Sequence, residues 1–149
     1  MTDCQDLAAK QAALVAALVA GAPVPDGFDR RRVAAARQAL LRKRAGEVAR
    51  AWPVLAAECE WPGWFTEWAA DRSPRGGLRD GFDFARWLRS MGRLPDVAAA
   101  ELATREALWW YDGQAPPRRR RLPALRQGGG FWILQALGRA HRIRGWQAG

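Results

Sequence analysis

Apolar residues recur at intervals of three and four along the first 112 positions, and beyond them that spacing is lost. The repeat matches the ~3.6-residue turn of an α-helix, so the first part of the chain reads as a series of helices. The first covers residues 3–20. Thr2 or Asp3 caps it, Leu7, Leu14 and Leu18 fall near one stripe, and Gly21 with Pro23 ends it. A second starts after Asp29, a suitable N-cap, where Phe28 and Val33 are spaced for a hydrophobic staple. It runs to Ala51, with Val33, Ala36, Leu40, Leu41, Val48 and Trp52 inward and Arg37, Arg42, Lys43, Arg44 and Arg50 outward. Pro53 breaks it, and residues 54–60 make a further short helix.

Between Trp61 and Leu88 lie four of the nine tryptophans. Trp61, Trp64, Phe65 and Trp68 share one helical face. Ser73-Pro74-Arg75-Gly76-Gly77 interrupts, and a helix from Arg79 or Asp80 places Phe84, Trp87, Leu88 and Met91 together. Aromatic surface at this spacing is read as core. Trp61 and Trp64 are the candidates for a partner surface. Leu94-Pro95-Asp96 launches one more helix, with Val97, Leu102, Ala103, Glu106, Ala107 and Trp110 near one side and Glu101, Arg105 and Asp112 toward solvent. A carboxylate among apolar neighbours requires a partner, and Arg32 or Arg37 of the second helix is the expected one for Glu106.

Gly113 to Arg121 is a linker rich in proline and arginine. In residues 122–146, short apolar or alternating runs are divided by Gly128-Gly129-Gly130 and Gly138, which reads as a small β meander; an amphipathic helix over Phe131–Arg142 is the alternative. The predicted class is mainly α, an N-terminal helical bundle followed by a small C-terminal β meander. The predicted divisions are a helical domain at 1–112, a linker at 113–121 and a basic β-like tail at 122–149.

Charge sharpens this division. The net charge is +9, and residues 112–149 hold eight arginines against one acid, Asp112. The run Arg30-Arg31-Arg32 is read as solvated, because exposed charges contribute little. The longest apolar run, Ala12–Ala20, is shorter than the ~20 residues of a membrane span, and no basic region precedes it. No membrane association and a cytoplasmic location are therefore expected. Cys4 and Cys59 lack metal-type spacing and read as two separate reduced thiols, with a Cys4–Cys59 disulfide as the alternative. His141 is the single histidine, which leaves little material for a metal site or a Cys-His nucleophile pair. The chain is expected to be no enzyme, with no catalytic residue, metal ligand or cofactor of its own.

Several elements occur together in a recognisable order: the Arg-rich opening of the second helix, Trp52-Pro53, Trp64-Phe65 and Trp68, then Ser73-Pro74, Leu78, Gly81, Phe84 and Leu88, then Leu94-Pro95, Leu102-Ala103 and Glu106-Ala107. With them, residues 7–112 resemble the helical N-terminal region of the HvfC/BufC-type proteins, related to MbnC, in a short actinobacterial-type version. The chain departs at Ala36 and Gln38, where that family carries Tyr followed by Asn. The resemblance implies an accessory partner of a multinuclear non-heme iron-dependent oxidase. Such a partner binds the leader segment of a ribosomally made precursor peptide and brings it to the enzyme, which holds the iron.

A helical scaffold with a basic, strand-forming tail suits that role, because it acts by proximity. An exposed edge over Phe131, Trp132, Ile133, Leu134 and on to Leu137 is expected to accept an extended peptide by strand addition. Arg118, Arg119, Arg120, Arg121, Arg126, Arg139, Arg142 and Arg144, with His141 nearby, are expected to attract an acidic leader. The competing reading is nucleic-acid binding. It uses the same arginines for phosphates and Trp132, His141 and Trp146 for stacking, although no helix-turn-helix, RNA-recognition or zinc-finger pattern is present.

Overall fold

The computed structural model describes residues 2–144, and the side chains of residues 5–143. Its helices are α1 (Thr2–Ala20), α2 (Arg30–Ala51), α3 (Pro53–Glu58), α4 (Gly63–Ala69), α5 (Gly77–Ser90) and α6 (Asp96–Leu108). Strands β1 (Trp109–Trp110), β2 (Arg118–Arg119), β3 (Ala124–Gly128), β4 (Phe131–Ala136) and β5 (Arg139–Arg144) follow. No helix among the described residues is long and apolar enough to cross a membrane.

Asp29 caps α2, its Oδ1 accepting from the backbone N–H of Arg31 at 2.8 Å and of Arg32 at 3.2 Å. These are donors that a helix start otherwise leaves without partners. The buried side of α2 is Val33, Leu41, Arg44, Ala45 and Val48, continued by Trp52. The expected inward side holds at Val33, Leu41, Val48 and Trp52, but Ala36 and Leu40 face solvent while Arg44 lies inside. The stripe turns Arg44 inward because Asp80 of α5 and the carbonyls ending α4 receive its guanidinium.

α5 buries Asp80, Gly81, Phe82, Phe84, Ala85 and Leu88, a wider stripe than its aromatic spacing suggests, and it leaves Met91 exposed. Gly81 admits the indole of Trp52 beneath the helix. A Cβ at that position would lie 2.1 Å from Trp52 Cδ1 and Nε1. The indole N–H donates to Leu78 O at 3.1 Å, and Phe82 meets the ring edge-on at 4.9 Å. Phe65 and Phe84, 5.4 Å apart at 86°, extend the cluster to α4, in the T-shaped geometry that aromatic quadrupoles favour.

α6 ties the elements together. Glu101, expected in solvent, is half-buried, and its Oε2 accepts from Leu55 N–H at 2.8 Å. α3 has no capping side chain of its own, so α6 supplies one from outside. Glu106 is paired, but with α5: Arg86 Nε donates to Oε1 at 2.8 Å and Arg89 Nη1 to Oε2 at 3.2 Å. Arg32 and Arg37 are not its partners. Arg32 sits beside Asp29, and Arg37 donates to Ala70 O at 2.6 Å.

β3, β4 and β5 form an antiparallel sheet in that order, and β1 pairs separately with β2. The larger sheet lies directly on α6. Ile133 is buried with Ala103 and Ala107, and a Cβ on Gly128 would lie 2.4 Å from Ala99 O. A Cβ on Gly129, whose φ is +58°, would lie 2.2 Å from Asp96 O. With its amide oriented so that both groups are satisfied, buried Gln135 donates to Leu122 O at 2.8 Å and accepts from Gly138 N–H at 3.1 Å. Helix makes up 56 % of the structure and strand 14 %, with two sheets, so the expected mainly α class is overturned and the fold is mixed α/β. Sequence periodicity registers each element separately and carries no sign that α6 has a sheet packed on it.

Candidate functional site

The basic segment enters the fold in pieces that serve different ends. Arg118 and Arg119 form β2, opposite Trp110 and Trp109. Both arginines are exposed, and Arg119 stacks its guanidinium 4.6 Å from the Trp109 ring centre. Arg120 completes the end of α6: its backbone N–H donates to Leu108 O at 2.9 Å, and its Nε to Glu106 O at 3.0 Å and Trp109 O at 3.3 Å. Those carbonyls lack helical partners, so Arg120 has a structural task. Burial lowers its pKa, and the nearby charge of Arg126 adds to the effect. Arg121 is exposed, and Arg126 turns Nη1 to Leu125 O at 2.8 Å.

In the sheet, successive side chains alternate between faces. The register sets Arg126, Ile133 and Arg142 in one row on the α6 side. Ile133 is buried there, and Arg142 lies over the Phe131 ring at 4.8 Å. Arg142 also borders a cavity of about 380 Å³ with Glu101, Thr104, Arg105 and Trp109. The opposite face carries two further rows, Leu125–Leu134–His141 and Gln127–Trp132–Ile143, with Arg139 at the end of β5. The structure thus brings Trp132, Leu134, Arg139 and His141 together and sends Phe131, Ile133 and Arg142 to the other side. Leu125 and Ile143 join the outer group unforeseen. Their signal was the alternation in Ala124–Gln127 and Ala140–Ile143. The side chain of Arg144 and the whole of Trp146 lie outside the described residues.

The expected open edge at Phe131–Leu137 is corrected. β4 is the central strand, paired with β3 on one side and β5 on the other. β3 and β5 are the two edge strands, each with one side lacking a strand neighbour among the described residues. β3 also runs against α6 at Gly128, and β5 is the edge strand that carries Arg139, His141 and Arg142.

Trp61 and Trp64 lie away from this group, and both are half-buried. Trp61 stacks on Phe65 at 5.0 Å and meets Phe84 edge-on at 6.1 Å. Trp64 lies under Arg93 at 4.0 Å and, with Trp68, Trp87 and Arg72, lines a groove of about 470 Å³. Cys59 is half-buried. Burial raises its thiol pKa, and the charge of Glu58 adds to the rise. The side chain of Cys4 is outside those described. Among the described residues, no group of three or more His, Cys, Asp or Glu side chains is arranged to hold a metal ion.

The family described as "SCO6045-like, C-terminal domain" matches residues 8–90. A "UPF0276 protein" of Streptomyces avermitilis is 42 % identical over 126 residues, 82 % of this chain and 25 % of the relative. The chain therefore spans about a quarter of the length of that curated relative. No solved structure matches it.

Proposed function

The chain belongs to the SCO6045-like, C-terminal domain family, and on that premise we propose that it is a non-catalytic adaptor of the HvfC/BufC type. It binds a ribosomally made precursor peptide and a multinuclear non-heme iron-dependent oxidase, and it promotes modification of the peptide by holding the two together. The iron belongs to the enzyme.

The observation that carries the reading is the open edge of β5 in a segment without acids. Its backbone N–H and C=O groups are available to an extended peptide, which main-chain hydrogen bonds would hold in the manner of strand addition. Arg139 and His141 lie on one face of that edge and Arg142 on the other, so an acidic leader meets positive charge on both sides. No acidic residue follows Asp112. A peptide fixed beside its enzyme reacts at a raised effective concentration, and the adaptor needs no reacting group of its own. The relative's length agrees with this arrangement, because there the matched segment occupies a quarter of a longer chain.

The test is co-purification of the chain with an oxidase of this class and its precursor peptide, beside binding to random duplex DNA across a salt series. The expected outcome is a complex of chain, enzyme and peptide at moderate salt, where DNA binding has vanished. Retention of DNA without enzyme or peptide would replace the adaptor with a nucleic-acid-binding protein, whose affinity falls steeply with salt.

A further inference from the structure

We infer that the outer face of the β3–β4–β5 sheet is the docking surface for the folded enzyme, a protein surface with an acidic rim, while the β5 edge is left to the peptide. The inference rests on the adaptor reading and assigns the enzyme to the face and the peptide to the adjoining edge, with Arg139 and His141 bordering both.

The centre of the face is a contiguous apolar group, with exposed Gln127 and His141 completing its two rows. Leu125 and Leu134 stand side by side across β3 and β4, and Trp132 and Ile143 across β4 and β5. Leu125 is 48 % exposed, Trp132 39 % and Ile143 45 %. Leu122 and Leu137, at the margins of the sheet, are exposed as well. Single exposed apolar residues are ordinary, whereas a contiguous group with a polar rim marks an interaction surface. Large side chains in a shared centre are also what a protein interface uses for most of its binding energy.

Charge selects the occupant. The rim is basic, with Arg139 and His141 on the face and Arg121 exposed just before β3. A second copy of the chain would set basic rim against basic rim, and like-charge juxtaposition is unfavourable across an interface. A nucleic acid would satisfy the charge but calls for aromatic platforms on which bases stack. Here three of the four central side chains, Leu125, Leu134 and Ile143, are aliphatic. An apolar centre within an acidic rim, as a protein presents it, satisfies both features.

The probe is a multinuclear non-heme iron-dependent oxidase of the class used in the co-purification test. It is produced as a separate protein, checked for a cooperative thermal transition, and titrated calorimetrically with the full chain. The unaltered chain is expected to bind. Leu125→Glu and Ile143→Glu are each expected to weaken binding about tenfold or more, as loss of a central contact does, with unchanged circular dichroism because both side chains are exposed. Met91→Glu, an exposed apolar position on the helical body, is expected to leave affinity unaltered. Undiminished binding by both sheet variants would overturn the docking face and leave the adaptor reading standing. No binding by the unaltered chain would remove both. A self-association that Ile143→Glu abolishes, or oligonucleotide binding that it abolishes, would give the face to a different occupant and overturn the inference.

Discussion

The guanidinium of Arg44 and the carboxylate of Asp80 meet inside the protein through two hydrogen bonds, Nε to Oδ2 at 2.7 Å and Nη2 to Oδ1 at 3.0 Å. Their side chains are 8 % and 1 % exposed. Arg44 also donates to Ala69 O, Arg72 O and Ser73 O, at 3.3, 2.5 and 3.3 Å, and Asp80 accepts from Arg75 N–H at 3.1 Å. A charge taken from water is tolerated when its donors and acceptors are matched in this way. Removing one partner leaves the other charged and buried, so Asp80→Leu or Arg44→Met should each destabilise by about 3–5 kcal/mol. The double variant should lose clearly less than the sum of the two. Urea denaturation of all four proteins gives the coupling, and strict additivity would show that the pair does not act as a unit.

Gly81→Ala tests the contact between α5 and Trp52. The added methyl would lie 2.1 Å from the indole, so either the ring or the helix must shift. Because the ring is buried and its N–H is bonded to Leu78 O, overpacking should cost about 1–3 kcal/mol and lower the melting temperature, although alanine is the better helix former. An unchanged or higher melting temperature would mean that Trp52 moves freely.

Within the arginine run, single substitutions should separate structure from binding. Arg120→Gln removes the bonds to Glu106 O and Trp109 O and should destabilise by about 1–2 kcal/mol. Arg118→Gln, at an exposed position, should stay within about 0.5 kcal/mol yet weaken capture of an acidic peptide. Thermal melts and peptide titrations on the same samples distinguish the two roles.

The Tyr111 hydroxyl donates to Asp83, with both carboxylate oxygens 2.9 Å away. Burial raises the phenol pKa above its ordinary 10.0, and the Asp83 bond and charge add to the rise, against the opposing influence of the neighbouring Arg79 and Arg75 guanidinium groups. The unfolded chain therefore gives up this proton at a lower pH than the folded one. The stabilisation is complete below pH 10.0 and is lost as pH rises through the folded value. Stability measured by denaturant should fall on the alkaline side above about pH 10, and Tyr111→Phe should flatten that limb.

The features legible in the chain were local. Asp29 as a cap, the break at Trp52-Pro53 and the turn at Leu94-Pro95 each depend on a few adjacent residues, and the structure has them. Arg44 was unreadable because its partner lies thirty-six residues away and because an arginine on a helix is ordinarily solvated. Glu106 called for a counter-ion, but the choice of Arg86 over Arg37 follows from how α5 crosses α6. In the tail, alternation separated Trp132 from Ile133 in principle. Which strand lies in the middle follows from pairing across glycine turns, so the expected open edge falls on β4 whereas the edge strands are β3 and β5.

Alanines set the thickness of α6. Ala98 and Leu102 belong to the helical core, whereas Ala103 and Ala107 touch Ile133 of the sheet. A single helix thus serves as a partition wall, thin enough that Gly128 passes against its backbone. Lengthening a side chain on the sheet side would displace the whole β5 edge from the helical body by the width of the added group. Both proposed ligands meet the same sheet, so their separation from the aromatic core is gauged by methyl groups on α6, in residues that contact neither of them.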